Sequence, residues 1–286
     1  MSAAAPGKVT VPGLQAMKAA GDKSVCVVAW DYQMARIADA ACVDIVSVGD
    51  TVGVNLWGQP NPLQITMEEI LVVAKAVRRG VNRALLSCDF PYGPLQEGAG
   101  TAVRAAIRVV KEAGADLVKL DGAAEFPEAV EAVTRAGIPV FAQFGITPQT
   151  ALKHGIAYSA ASAAQVPEEM LDELVDDAKR LEAAGAVALN FTNSGPVVGP
   201  AVVKAVSIPV LGGFGGGPWL DGRIRMATAA IGYSADNVDR DPDTYANVGR
   251  IAFDALTAYA ADVRAGRQIR GGIGAGQKEQ HGRRRA

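Results

Sequence analysis

Four times along this chain a helical stretch stops at a glycine and an apolar run follows: Gly80 before RALLSCD (83–89), Gly114 before DLVKLD (116–121), Gly137 before IPVFAQF (138–144), and Gly185 before AVALNF (186–191). A glycine just past a helix takes the left-handed conformation that lets the last carbonyls find partners. The apolar runs are nearly unbroken rather than alternating, as a strand covered on both faces requires. Repetition of helix, glycine and buried strand points to a parallel α/β fold.

SVCVVAW (24–30), DIVSVGD (44–50) and SIPVLGG (207–213) extend the series, and TAAIGY (228–233) is a weaker last strand after a short helix within 219–232. Eight strands favour a closed (β/α)8 barrel, the TIM barrel, over an open doubly wound sheet. The helices are predicted at 31–42, from Thr66 to Gly80, and at 99–113, 125–136, 167–184, 199–205 and 243–265. Thr66 opens its helix with a capping box that uses Glu69. A chain of 286 residues suits one barrel, and no linker or shift of composition divides it. Residues 1–270 are therefore expected to form one barrel domain, and 271–286 a flexible Gly/Arg-rich tail.

Net charge narrows the partners. At −2 it gives no bulk attraction to nucleic acid or to a membrane surface, and Arg283, Arg284 and Arg285 read as a frayed end. Cys26, Cys42 and Cys88 are odd in number and lack metal-type spacing, which points to a reducing, cytoplasmic setting. Cys88 reads as a buried strand thiol. There is neither a signal-peptide pattern nor an apolar run long enough to span a bilayer. A small molecule is the expected partner.

Three acids stand at strand ends: Asp50, Asp89 and Asp121. In a parallel barrel those ends converge on the rim where barrel active sites lie. A lone strand-end aspartate often caps the next helix, but three together suit a hard cation. Mg²⁺ needs only one or two direct carboxylates, here Asp50 and Asp89, with Asp121 acting through a water. Lys119 lies two residues before Asp121, on the same face, where it can pair with an acid or hold a substrate oxyanion. GGFGGGP (212–218) lacks the phosphate-loop pattern and reads as a close-approach turn, with a helix start expected near Asp221–Arg223. His154 and His281 lie away from strand ends, so no serine triad or zinc site is supported.

At AWDYQMARIADAA, SVGDTVG, AVRRG, LLSCDFPYG, AGADLVKLDG, GITPQT, LEAAGA, SIPVLGGFGGG and Asp221–Gly222 the chain resembles ketopantoate hydroxymethyltransferase (3-methyl-2-oxobutanoate hydroxymethyltransferase), of the phosphoenolpyruvate mutase/isocitrate lyase superfamily, over roughly residues 8–270. The resemblance implies a Mg²⁺-dependent barrel transferase that moves a hydroxymethyl group from 5,10-methylenetetrahydrofolate to the carbon beside a 2-oxo acid's keto group. It implies metal ligands at Asp50 and Asp89, a water-mediated contact at Asp121 where the family has glutamate, and substrate contacts at Thr51 and Lys119. A homo-oligomer, a decamer in the family, is implied as well.

Two positions depart from the family pattern. Gln143 stands where the family carries an active-site histidine, and Thr192 stands where it carries the glutamate that removes the substrate's proton. A threonine hydroxyl is no base near neutral pH without a group to activate it. Three readings follow: a family enzyme on a changed 2-oxo acid or related enolisable compound, with Thr192, Asn193 and Ser194 hydrogen-bonding a more polar substrate and Gln143 as a further substrate contact; a different metal-dependent C–C bond-forming or -cleaving reaction; and a non-catalytic relative. Retention of Asp50, Asp89, Lys119 and Asp121 favours the enzymes.

Overall fold

The computed structural model describes residues 7–271, and it divides into two compact units, one ending at Ala227 and the other starting at Thr228. In the first, α1 (Val11–Ala20) precedes β1 (Ser24–Val28), α2 (Tyr32–Ala40), β2 (Ile45–Val48), α3 (Val52–Trp57), α4 (Met67–Arg78) and β3 (Leu85–Asp89). There follow α5 (Ala99–Ala113), β4 (Leu117–Leu120), α6 (Pro127–Arg135), β5 (Val140–Gly145), α7 (Leu171–Ala183), β6 (Ala188–Thr192), α8 (Val198–Ala205), β7 (Val210–Gly212) and β8 (Gly222–Met226). Every strand pairs in parallel with the next, and β8 returns to β1, so the sheet closes as a (β/α)8 barrel.

The unbroken apolar runs behave as expected: every residue of β2, β3, β4 and β6 is buried. Gly114, Gly137 and Gly185 take positive φ (68°, 82° and 92°) just past their helices. Gly80 does not cap α4. That helix ends at Arg78 with Arg79 as its cap, and Gly80 instead allows a close approach, since a Cβ there would lie 2.7 Å from the Tyr32 carbonyl oxygen. The predicted capping box is formed, with Glu69 N donating to Thr66 Oγ1 (3.2 Å) and Thr66 N to Glu69 Oε2 (2.8 Å).

The last strand corrects the sequence reading. TAAIGY is not a strand: Ala227–Ala230 is a one-turn helix, α9, and β8 is the preceding segment GRIRM, so Asp221–Arg223 opens a strand rather than a helix. In β8, Ile224 is buried and Arg223 and Arg225 are exposed, an alternation that a search for continuous apolar runs passes over. Asp221 is structural. Its carboxylate accepts from Val210 N (2.9 Å) and pairs with Lys18 (2.9 Å).

The second unit holds a short turn (Ala235–Asn237) and α10 (Val248–Arg264). Asn247 caps α10, accepting from Arg250 N at 3.0 Å. Residues 272–286, most of the expected tail and including His281 and Arg283–Arg285, lie outside the described residues. Among the described residues no helix is long and apolar enough to cross a membrane.

Candidate active site

Strand register decides which side chains meet. Lys119 pairs with Phe141 across β4 and β5, and Gln143 pairs with Asn190 across β5 and β6. Residues two apart share a face. Lys119, Asp121, Phe141, Gln143, Asn190 and Thr192 therefore point one way, while Phe144 and Phe191 stack at 4.6 Å on the other. Lys119 Nζ donates to Asp89 Oδ2 at 2.6 Å, and Ser47 Oγ to Asp89 Oδ1 at 3.3 Å, which joins β2, β3 and β4 on the shared inner face.

Asp50 directly follows the β2–Gly49 step, Asp89 ends β3 and Asp121 follows β4; all three are buried, as is Lys119. Burial, then the charges of Asp89 and Asp121, push the Asp50 carboxyl up to about 8. Burial likewise raises Asp121 to about 6. For Lys119, burial works downward, but the charges of Asp89 and Asp50 outweigh it and hold the ammonium above the ordinary lysine range. Three acids thus surround a single lysine, and among the described residues Asp121 Oδ1 is buried without a partner. Buried negative charge in excess of its counter-charge is costly, and oxygen donors with an unused lone pair suit a hard cation with part of its water shell. They do not form a ready-made cage: among the described residues no group of three or more His, Cys, Asp or Glu side chains is arranged to hold a metal ion.

The β5–β6 side of the rim is neutral. Gln143 Nε2 donates to Thr192 Oγ1 at 3.1 Å, and both residues are buried. Among the described residues Gln143 Oε1, Asn190 Oδ1 and Asn193 Oδ1 are buried without partners. Asn193 takes φ 60°, and its side chain donates to the Ile146 carbonyl (2.9 Å) while its backbone N donates to the Phe214 carbonyl (2.7 Å). The glycine run is the expected close-approach turn, for a Cβ on Gly215 would lie 2.7 Å from Asn193 Cα. Thr51 stands half-buried ahead of α3, and its hydroxyl makes no cap to that helix.

The structure adds residues that the sequence did not single out as site residues. Ser47 and Asn190 lie on the inner face and were legible in principle from strand parity. Gln149, within GITPQT, donates through Nε2 to Asp50 Oδ2 at 2.8 Å. Tyr158 carries a phenol raised to about 12 by burial and by the Asp50 charge, and no periodicity marks it. Cys26 and Cys88 are buried thiols pushed upward by desolvation, which leaves them poor nucleophiles.

Comparison with known proteins gives one consistent result. Solved structures share the fold at low identity: phosphonopyruvate hydrolase in complex with oxalate and Mg²⁺ (TM-score 0.59, 17% identity, 96% of each chain) and 2,3-dimethylmalate lyase of the phosphoenolpyruvate mutase/isocitrate lyase superfamily (TM-score 0.58, 15% identity, 96% of this chain and 93% of that one). At the level of sequence, 3-methyl-2-oxobutanoate hydroxymethyltransferase from Salinibacter ruber is 38% identical over 257 residues, covering 90% of this chain and 95% of its own. The enzyme of that name from Cyanothece sp. is 37% identical over 261 residues, covering 89% and 96%. The profile of the family described as ketopantoate hydroxymethyltransferase matches residues 8–268. A barrel of this topology, with that span of matched sequence, belongs to the ketopantoate hydroxymethyltransferase family of transferases.

Proposed function

We propose that this protein is a Mg²⁺-dependent enzyme that acts on a 2-oxo acid through its enolate, with a substrate changed from that of its relatives. The observation that carries the change is the neutral Gln143–Thr192 pair, hydrogen bonded at 3.1 Å at the positions where the family resemblance expects a histidine and a glutamate. Asp50 and Asp89 would hold the ion directly and Asp121 through a water, since Asp121 Oδ1 is buried and free to accept a hydrogen. When bound, Mg²⁺ supplies Lewis acidity toward the keto oxygen. Lys119, kept protonated by Asp89 and Asp50, adds a fixed positive charge near the developing oxyanion. Thr51 and Gln143 contribute hydrogen bonds to substrate, and Asn193 braces the wall behind Thr192.

A hydroxyl cannot replace a carboxylate base, and losing such a base costs on the order of 10² to 10⁴ in rate. A more acidic proton in the substrate offsets that loss. The second reading, C–C cleavage or formation by another route, is favoured by the same neutral wall, because cleavage can yield the enolate without a proton being removed from carbon. 5,10-Methylenetetrahydrofolate is the proposed co-substrate for the first reading alone. Homo-oligomer formation draws support from α10, whose Phe253, Leu256, Tyr259 and Val263 share a helical face and are exposed.

The test is isotope exchange of the proton beside the keto group of 3-methyl-2-oxobutanoate, with and without Mg²⁺. Exchange that depends on Mg²⁺ and is abolished in Asp50→Ala supports an enolate enzyme. Ketopantoate formation with the folate at relatives' rates would defeat the changed-substrate reading. Absence of exchange with every 2-oxo acid tried, while Mg²⁺ binds, would favour a non-catalytic relative.

A further inference from the structure

We infer that Gln149 is a positioning residue that makes the acid cluster prefer Mg²⁺ over Ca²⁺, by occupying one oxygen of Asp50 and one of Asp121 and leaving each carboxylate a single oxygen to offer. The inference rests on the cation site proposed above.

The contacts are specific. Gln149 Nε2 donates to Asp50 Oδ2 at 2.8 Å and to the Phe90 carbonyl at 3.2 Å. Its backbone N–H donates to Asp121 Oδ2 at 3.4 Å. One residue from the segment after β5 thereby contacts groups that follow β2, β3 and β4. The amide orientation is set by the Phe90 carbonyl, which can only accept.

The residue is also held rigidly. Thr147 and Thr150 cap each other, with Thr147 N donating to Thr150 Oγ1 (3.1 Å), Thr150 N to Thr147 Oγ1 (3.2 Å), and the hydroxyls 2.8 Å apart. Pro148, between them, has its φ fixed by its ring. Thr150 packs in turn against Gly122, whose φ of 72° and missing Cβ make room for it: a Cβ there would lie 3.2 Å from Thr150 Cγ2. A turn tied this way presents Gln149 at a set position rather than as a loose surface amide.

The chemical consequence follows from the free lone pairs. With Oδ2 of each acid engaged by Gln149, among the described residues Asp121 Oδ1 remains buried without a partner, and the Asp50 carboxylate makes no other hydrogen bond. A carboxylate held by one oxygen binds a cation through the other. Mg²⁺ accepts that arrangement, because it wants few protein oxygens in strict geometry and retains water. Ca²⁺ gains from bidentate carboxylates and a larger, looser shell. An amide that denies Asp50 its second oxygen therefore penalises Ca²⁺ more than Mg²⁺.

Calorimetric titration of chelator-stripped protein with Mg²⁺ alone and Ca²⁺ alone tests this in wild type, Gln149→Ala and Gln149→Met, the last keeping side-chain volume without the donors. Expected is a loss of Mg²⁺ affinity of about ten- to a hundredfold in both variants, the range seen when an outer hydrogen-bond partner of a ligand is removed. Ca²⁺ affinity should fall less or rise, so the Mg²⁺/Ca²⁺ preference drops by at least about fivefold. If Gln149→Ala does not fold, Gln149→Met carries the same expectation. Wild type that binds Mg²⁺ and variants that keep the same Mg²⁺/Ca²⁺ ratio overturn the role of Gln149 alone. Wild type that takes up neither ion overturns the cation site and this inference with it.

Discussion

Gln143 donates its amide hydrogen to the hydroxyl oxygen of Thr192 across 3.1 Å, tying β5 to β6 with two uncharged side chains on the inner face of the barrel. The preceding strands β2, β3 and β4, the last paired directly with β5, carry Asp50, Asp89, Lys119 and Asp121 at or next to their ends.

Restoring an ionisable pair should restore family chemistry. Thr192→Glu, alone and combined with Gln143→His, is expected to raise ketopantoate formation from 3-methyl-2-oxobutanoate and 5,10-methylenetetrahydrofolate by at least about tenfold, part of the 10² to 10⁴ that a positioned base supplies. The double variant should exceed the single, since the histidine adds a second ionisable group beside the new carboxylate. A folded double variant no faster than wild type would show that these positions do not limit the reaction.

Acid titration in the cation-free protein runs opposite to the usual carboxylate case. Asp50 and Asp121 titrate near 8 and 6 in the folded protein, against an ordinary aspartate value near 4 when unfolded. Between those limits the unfolded chain binds fewer protons than the folded one, so stability falls as pH rises. With chelator present, unfolding by urea should therefore become easier from about pH 5 to pH 8, while Mg²⁺ should flatten that slope. Asp50→Asn should also flatten it, since an amide cannot titrate. A slope of the opposite sign in chelated wild type would contradict the burial of these acids.

Lys119 is the one cation among three acids, paired to Asp89 at 2.6 Å with both side chains nearly enclosed. Removing one partner of such a pair costs about 3 to 5 kcal/mol because the other is left buried and charged. Lys119→Met should thus lose about 3 kcal/mol in chelated protein near pH 8, recovering part of it in Mg²⁺. Equilibrium unfolding in the two buffers measures both quantities. A loss below about 1 kcal/mol without metal would mean the acids discharge by taking up protons instead.

The barrel closes where Gly222 of β8 stands beside Ser24 of β1. A Cβ at Gly222 would land on the Ser24 carbonyl oxygen and also crowd Leu211 Cγ at 3.0 Å. Neither the backbone oxygen nor the buried leucine can move aside cheaply, so Gly222→Ala should cost about 3 kcal/mol or more, above the usual range for an overpacked site. Thermal melting would read this as a large drop in Tm, and a melt within a degree or two of wild type would refute the crowding.

Much of the barrel was legible because most of its strands are near-continuous apolar runs and several of its helices stop at glycines. The seven strands found from sequence, from Ser24–Val28 to Val210–Gly212, all carry buried side chains on the inner face. β8 escaped because Arg223 and Arg225 interrupt it, a pattern that alternation explains once the partner strands are known. Asp50, Asp89, Lys119 and Asp121 were legible because strand ends in a parallel barrel share one rim. Gln149 was not, despite lying in a recognised motif. Its importance comes from reaching Asp50, 99 positions earlier in the chain, and no local pattern encodes that distance. Asn193 was read as a substrate contact; its Nδ2 donates to the Ile146 carbonyl at 2.9 Å, while its Oδ1 is buried without a partner among the described residues.

Because the charged and the uncharged parts of the inner face rest on different strands, either can be rewritten with little disturbance to the other. Among the described residues the side chains of Gln143, Asn190 and Thr192 make no hydrogen bond to the Lys119–Asp89 pair or to the Thr147–Thr150 turn. Such a layout separates the two chemistries strand by strand, and it marks those three positions as the natural starting point for redesign.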